Sequence, residues 1–142
     1  MPLMKRKLIP VIFLGIVTIL FFYYGGFGTR QDEEKPVTLA EFNSKIKESK
    51  KPVLVYFSAG WCTVCGKMKP VIAEIEKEYG DKVEFFKIDA DRDKEVADEF
   101  EINSLPVIML YTHNNREWIH IGIIEKSRLK EKIFPFFTKD QN

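Results

Sequence analysis

Five consecutive residues constrain this chain more than any others: Trp61-Cys62-Thr63-Val64-Cys65. They include both cysteines of the protein. An apolar run at residues 53–57 precedes them, and apolar residues at helical spacing follow them. Two thiols separated by two residues at a helix start lie one turn apart, where they can form and reopen a disulfide. The motif therefore predicts a thiol–disulfide exchanger built on a strand followed by a helix.

A cysteine pair can also bind zinc or form an inert structural disulfide. A zinc site needs about four ligands, and the chain adds only His113 and His120, on a separate predicted hairpin. No metal site is therefore expected, and both histidines are interpreted as turn or strand residues. An inert disulfide stays open as an alternative, although so small a loop should add little stability.

The amino-terminal segment predicts a membrane association. Lys5, Arg6 and Lys7 precede an uncharged stretch at residues 8–29, which is long enough to span ~30 Å of hydrocarbon as one helix. Positive charge on its amino-terminal side places the rest of the chain outside the cytoplasm. We expect a retained single-pass anchor, and a removed signal peptide is the alternative. The expected organisation is an anchor or signal segment at 1–29, a linker at 30–37 and a catalytic domain at 38–142.

The residue pattern of the catalytic domain predicts alternating helices and strands. A capping box from Thr38 to Glu41 predicts a helix that ends near Ser49. A second helix is expected behind the cysteine pair up to residue 80, with a kink at Pro70. A third is expected around residues 96–100. A fourth is expected around Leu129 and Ile133, with Pro135 ending or bending it. The expected strands are residues 53–57, 83–88, 107–111 and 118–123, with a hairpin turn at 113–116. This order predicts an α/β fold with parallel first strands and an antiparallel final pair.

The two cysteines have different expected roles. Cys62 falls at the first turn of the long helix, where free N–H groups and the helix dipole favour a thiolate and lower its pKa. Cys62 is therefore the predicted nucleophile. Cys65 lies one turn deeper and resolves the mixed disulfide, while Trp61 covers one side of the site.

These residues resemble the thioredoxin family over approximately residues 38–137. The resemblance depends on the cysteine motif, on Pro70 five residues after Cys65, on Leu105-Pro106 before a strand, and on Gly122 near the end of the last strand. It implies a thioredoxin-like fold, with a central mixed sheet between helices, and a cis peptide bond at Pro106 beside the cysteine pair. It also implies that the backbone of Leu105 pairs with an extended substrate segment.

Three positions depart from the family pattern. Thr63 and Val64 stand where thioredoxins usually carry Gly-Pro, and Tyr56 replaces a buried aspartate whose usual lysine partner is matched by Lys87. Val64 offers no hydrogen bond to a thiolate, unlike the histidine of strong oxidants in the family, so it favours a reductase. A phenol is a poor base near neutral pH. With Tyr56 at this position, the chain resembles thioredoxin-like domains that act outside the cytoplasm, where the same replacement occurs.

We therefore expect a membrane-anchored protein-disulfide reductase that needs no cofactor besides the Cys62–Cys65 disulfide. Its expected partners are a membrane electron donor and exported proteins with disulfides or thiols. A net charge of +1 gives no reason to expect nucleic acid. The alternatives are an oxidase or isomerase on the same fold and a non-catalytic binding module, against which the presence of both cysteines counts.

Overall fold

The computed structural model describes Ile16 and residues 35–137. The chain divides into two units, residues 1–34 and 35–142, and the fold below belongs to the second. Apart from Ile16, the predicted membrane segment lies outside the described residues. Within the part that is described, no helix is both long and apolar enough to cross a membrane.

A four-stranded sheet forms the centre of the domain, in the order β2-β1-β3-β4. The strands are β1 Val53–Ser58, β2 Glu84–Asp89, β3 Val107–Thr112 and β4 Asn115–Ile121. β1 pairs in parallel with β2 and antiparallel with β3, and β3 pairs antiparallel with β4. This topology confirms the expected mixed sheet. It also makes β1 an interior strand, which agrees with its apolar character on both faces.

Helices cover both faces of the sheet: α1 Leu39–Glu48, α2 Thr63–Tyr79, α3 Lys94–Glu99 and α4 Lys126–Phe137. The predicted capping box opens α1, because the Glu41 N–H donates to the Thr38 hydroxyl at 3.2 Å and the Thr38 N–H donates to the Glu41 carboxylate at 2.9 Å. The helix ends before Ser49, as predicted. Pro70 lies inside α2, which continues to Tyr79, and the kink there stays a prediction.

Two apolar clusters pack against the two faces of the sheet. Phe85 and Phe86 are neighbours on β2 that point to opposite faces, as predicted from their position in an alternating strand. The cluster under α2 and α4 contains, as its fully buried members, Leu54, Met68, Ile75, Val83, Ile108, Leu110, Leu129 and Ile133. Each face therefore has its own core, and β1 contributes to both.

The final hairpin differs from the prediction. Its turn consists of His113 and Asn114, both with positive φ, rather than of four residues. Two positive φ values match a two-residue turn whose twist suits the paired strands. β4 therefore begins at Asn115 instead of 118, and it ends at Ile121 because Gly122, with φ of 92°, turns the chain away.

Two smaller boundaries also differ. β2 is displaced by one residue from the predicted 83–88. The last helix extends through Pro135 to Phe137, so Pro135 does not end it, and a bend there stays a prediction. Proline removes one helical hydrogen bond, and near the end of a helix only the last turn is affected.

A buried carboxylate joins the start of the domain to the end of β2. Asp93 is fully buried and accepts the N–H groups of Val37 at 3.0 Å and Asp89 at 2.9 Å. It also accepts two hydrogen bonds from the Arg92 guanidinium, at 2.8 and 3.0 Å. Burial alone would raise the pKa of Asp93, but these donors outweigh it and hold the pKa below its ordinary value. Asp93 is one of three aspartates within residues 89–93, and nothing in the local sequence indicates that it is the buried one.

Candidate active site

The cysteine pair lies at the start of α2, where β1 delivers the chain. Cys62 occupies the N-cap position, and its sulfur accepts the backbone N–H of Cys65 at 3.1 Å. A disulfide joins the two residues, whose Cα atoms are 5.2 Å apart. The helix start thus directs an N–H group at the sulfur that was predicted to be the nucleophile, and such a donor stabilises a thiolate.

The two sulfurs differ in their access to solvent. Cys65 is completely buried, whereas Cys62 keeps 9% of its surface exposed. Trp61, just before the pair, is 71% exposed, and Val64, between the two cysteines, is 41% exposed. A substrate can therefore approach Cys62 first and meets apolar side chains around it. The order in which the two cysteines act stays a prediction.

Leu105 and Pro106 lie beside the pair although they are 40 residues away in sequence. Their peptide bond is cis, as the resemblance implied. Leu105 packs against the small cluster of Ala59, Cys62 and Cys65. The Pro106 carbonyl accepts the Gly122 N–H at 2.8 Å, which ties this loop to the end of β4. The structure thus brings the predicted catalytic and substrate-binding residues together.

The backbone of Leu105 is available to a ligand. Among the described residues, neither its N–H nor its carbonyl takes part in a backbone hydrogen bond. The residue is partly exposed beside Cys62, whereas Pro106 is buried. An extended peptide can therefore pair with Leu105 as an added strand while a disulfide of that peptide reaches Cys62.

Tyr56 lies beneath the pair in the middle of β1. Its hydroxyl donates to the backbone carbonyl of Cys65 at 3.2 Å. The side chain is 3% exposed, and burial raises the pKa of this phenol above its ordinary value. Tyr56 is therefore a neutral hydrogen-bond donor to Cys65 and supplies no base.

The other predicted supporting residues lie farther from the sulfurs. Lys87 is the register partner of Tyr56 on β2, but its ammonium is half exposed and pairs with Glu76 of α2. The structure therefore does not bring the charge of Lys87 to the pair. Thr63 lies exposed in the first turn of α2, and Pro70 lies exposed about two turns farther along.

Two features of the surface around the site were not predicted. A groove of about 420 Å³ runs beside Trp61 and Leu105 and is lined on its other side by Lys94, Asp98 and Asn103. Beyond Pro106, Ile121 and Ile123 are exposed to 61% and 52% on either side of Gly122. Their spacing was visible in the sequence, but the hydrogen bond from Gly122, which lies between them, to the Pro106 carbonyl depends on the fold.

Comparisons with known proteins agree with this geometry. The sequence profile described as Thioredoxin matches residues 33–134. A thioredoxin-like protein of Synechocystis is 37% identical over 95 residues, which cover 67% of this chain and 87% of the relative. Thioredoxin of Rickettsia prowazekii is 37% identical over 97 residues, covering 68% and 92%. Among solved structures, oxidised mitochondrial thioredoxin 3 of Saccharomyces cerevisiae superposes with a TM-score of 0.62 at 28% identity, covering 69% of this chain and 90% of that one.

Proposed function

Because this chain belongs to the thioredoxin family and is a thiol–disulfide oxidoreductase with its redox-active disulfide at Cys62 and Cys65, we propose that it reduces protein disulfides outside the cytoplasm from a membrane anchor. It needs no cofactor besides that disulfide. The observation that carries the proposal is the juxtaposition of the pair with the open backbone of Leu105. It offers a disulfide-bearing peptide both a place to pair and a sulfur to react with.

The reaction transfers two electrons from the pair to the substrate in two exchange steps. The Cys62 thiolate attacks one sulfur of the substrate disulfide, forms a mixed disulfide and releases the other substrate sulfur as a thiolate. The Cys65 thiol loses its proton to water, and the resulting thiolate attacks the Cys62 sulfur. The Cys62–Cys65 disulfide forms, the second substrate thiolate leaves, and both substrate thiolates take up protons from solvent.

The direction of electron flow is inferred from the groups around Cys62. A strong oxidant holds its nucleophile as a very stable thiolate, which favours the reduced form of the enzyme. Here Val64 stands between the cysteines where strong oxidants of the family carry a histidine. Its side chain is aliphatic and 41% exposed, so it cannot donate a hydrogen bond to the thiolate. The thiolate has the Cys65 N–H as a donor but none from Val64, and this supports a reductase rather than an oxidase.

The location is inferred from residues 5–29. The basic cluster followed by an uncharged stretch of membrane-spanning length supports an anchor whose following domain faces away from the cytoplasm. Disulfides persist in such a compartment. A reductase there requires electrons from a membrane partner, and its substrates are exported proteins with disulfides.

The experiment that tests this function uses the full chain in living cells. Acid quenching followed by a mass-tagged maleimide reports the redox state of the pair, and a membrane-impermeant maleimide added to intact cells reports its side of the membrane. We expect a mostly reduced pair that the impermeant reagent labels. A mostly oxidised pair would instead support the oxidase or isomerase, and labelling only after lysis would contradict the location.

A second experiment identifies the partners. In a Cys65→Ser variant the mixed disulfide on Cys62 cannot be resolved, so we expect covalent adducts with exported proteins that dithiothreitol releases. The matched control is Cys62→Ser, which lacks the nucleophile and should trap none. Full function of Cys62→Ser in cells would favour a non-catalytic binding module instead.

A further inference from the structure

We propose that the hydroxyl of Tyr56 is a positioning group for the redox pair. By holding the carbonyl of Cys65, it sets the first turn of α2, from which Cys65 presents its N–H and its sulfur to Cys62. The inference rests on the thiol–disulfide chemistry of the proposed function but does not depend on the direction of electron flow.

The hydroxyl of Tyr56 is held in a rigid position. Tyr56 is bordered by paired strands on both sides, with Lys87 of β2 and Ile108 of β3 as its register partners. Its ring is buried in the core beneath α2, next to Met68 and Ile72 in the same cluster. The position of the hydroxyl is therefore set by the centre of the sheet, and a buried hydroxyl strongly prefers to keep its hydrogen bond.

The turn of α2 that contains Cys65 and Gly66 lacks one of its helical hydrogen bonds. Pro70 has no N–H, so the Gly66 carbonyl four residues earlier cannot receive its ordinary helical hydrogen bond. Cys65 precedes Gly66 and lies in the same weakened turn. The hydrogen bond from Tyr56 reaches this turn from the core side and fixes the peptide group that follows Cys65.

The position of the Cys65 backbone affects thiol–disulfide exchange at Cys62. Cys65 is held on both sides, since its N–H points at the Cys62 sulfur at 3.1 Å and its carbonyl is held by Tyr56 at 3.2 Å. After reduction the same N–H can stabilise the Cys62 thiolate, and the Cys65 sulfur must reach Cys62 during resolution. A loosened turn would weaken the hydrogen bond from the Cys65 N–H to the Cys62 thiolate. It would also slow the attack of the Cys65 sulfur on Cys62. Burial keeps the phenol protonated by raising its pKa, so Tyr56 remains a donor.

The test compares Tyr56→Phe with a matched control, Tyr111→Phe. Tyr111 is also a buried strand tyrosine whose pKa is raised by burial. Its hydroxyl donates to the Met109 sulfur at 3.6 Å, and it packs in the core cluster on the other face of the sheet. Each variant thus loses one buried hydroxyl, but only one of the two hydroxyls contacts the redox pair.

Two quantities are measured on the full-length protein in detergent. The first is the midpoint pH of Cys62 alkylation by iodoacetamide in the reduced protein. The second is the single-turnover rate at which a preformed Cys62–glutathione mixed disulfide is resolved. For Tyr56→Phe we expect the midpoint to rise by about 0.5 and resolution to slow about 3–10-fold, from the magnitude of one hydrogen bond. For Tyr111→Phe we expect wild-type values of both.

The outcomes separate positioning from plain stabilisation. Wild-type values in Tyr56→Phe, or equal changes in both variants, would show that the Tyr56 hydroxyl only stabilises the fold. Should Tyr56→Phe fail to fold, 3-fluorotyrosine incorporated into the Tyr111→Phe background makes the phenol a stronger donor and should lower the midpoint pH; an unchanged midpoint would overturn the proposal. A pair found oxidised in cells would contradict the reductase direction. It would not affect the expected differences between the variants in midpoint pH and resolution rate.

Discussion

Replacing Asp93 with asparagine should destabilise the domain strongly at neutral pH and very little in acid. Asn has the same shape as Asp but no charge, and it has one oxygen where Asp93 has two. That oxygen can still accept the N–H of Val37 or of Asp89, but not both as the carboxylate does. The amide group that replaces the second oxygen is itself a donor and would face a donor.

The magnitude follows from the hydrogen bonds that are lost. Leaving one buried N–H without an acceptor costs about 1–3 kcal/mol. Losing the charge-assisted bonds from Arg92 adds a further ~1 kcal/mol, because the guanidinium is one-third exposed and solvent can replace part of the interaction. The free energy of unfolding should therefore fall by about 2–4 kcal/mol, a large part of the ~5–15 kcal/mol of a typical domain.

Urea unfolding of the purified protein between pH 7 and pH 2 tests this prediction. A carboxylate with a lowered pKa contributes stability that is fully present above its unfolded-state pKa, near 3.8. That contribution is lost as the pH falls through the lower folded-state pKa. The gap in unfolding free energy between wild type and Asp93→Asn should therefore be constant near neutral pH and narrow below about pH 4.

The control is Asp91→Asn, two residues away on the exposed side of the same loop. It should change the unfolding free energy by less than about 0.5 kcal/mol at every pH, as expected for a surface position. The reasoning would be refuted by a gap for Asp93→Asn that stays the same from pH 7 to pH 2. Such a result would mean that the carboxylate charge contributes nothing beyond its shape.

Three further predictions concern the active site and the elements that frame it. Cys62→Ser should abolish reduction of insulin disulfides, measured as loss of turbidity growth; activity above the uncatalysed rate would rule out Cys62 as the nucleophile. Thr38→Ala should lower the unfolding free energy by about 1 kcal/mol, because the Glu41 N–H loses its cap; Ser in place of Thr38 should restore most of it. Gly122→Ala should cost about 1–3 kcal/mol, since a φ of 92° strains any residue with a Cβ although the space there is open; a neutral effect in chemical denaturation would contradict this reading of the turn.

Local signals in the sequence predicted most of the elements. The capping box at Thr38 marked the start of α1, and the apolar run at 53–57 marked an interior strand. The turn before β4 was misplaced because His113-Asn114 lacks the glycine that usually signals a two-residue hairpin. Pro135 left open whether the last helix ends or bends there, and the helix continues to Phe137 because a proline at this position affects only the final turn.

The site was predictable where chemistry and spacing coincide in a short stretch. Cys62 and Cys65 are recognisable because their function requires both thiols within one helical turn. Leu105 and Pro106 needed the family resemblance, since nothing local connects them with residues 40 positions earlier. The exposed Ile121 and Ile123 were visible as apolar residues, but no local pattern indicates that Gly122, which lies between them, donates a hydrogen bond to Pro106.

The sequence by itself determined the reactive dithiol, the helix that carries it and the alternation of elements, because these depend on interactions between residues a few positions apart. Only the tertiary structure decided which distant groups meet there. It placed Leu105 against both cysteines, directed the Tyr56 hydroxyl to the Cys65 carbonyl and left Lys87 paired with Glu76. These contacts follow from strand register and helix packing, which are set by the burial of the whole core.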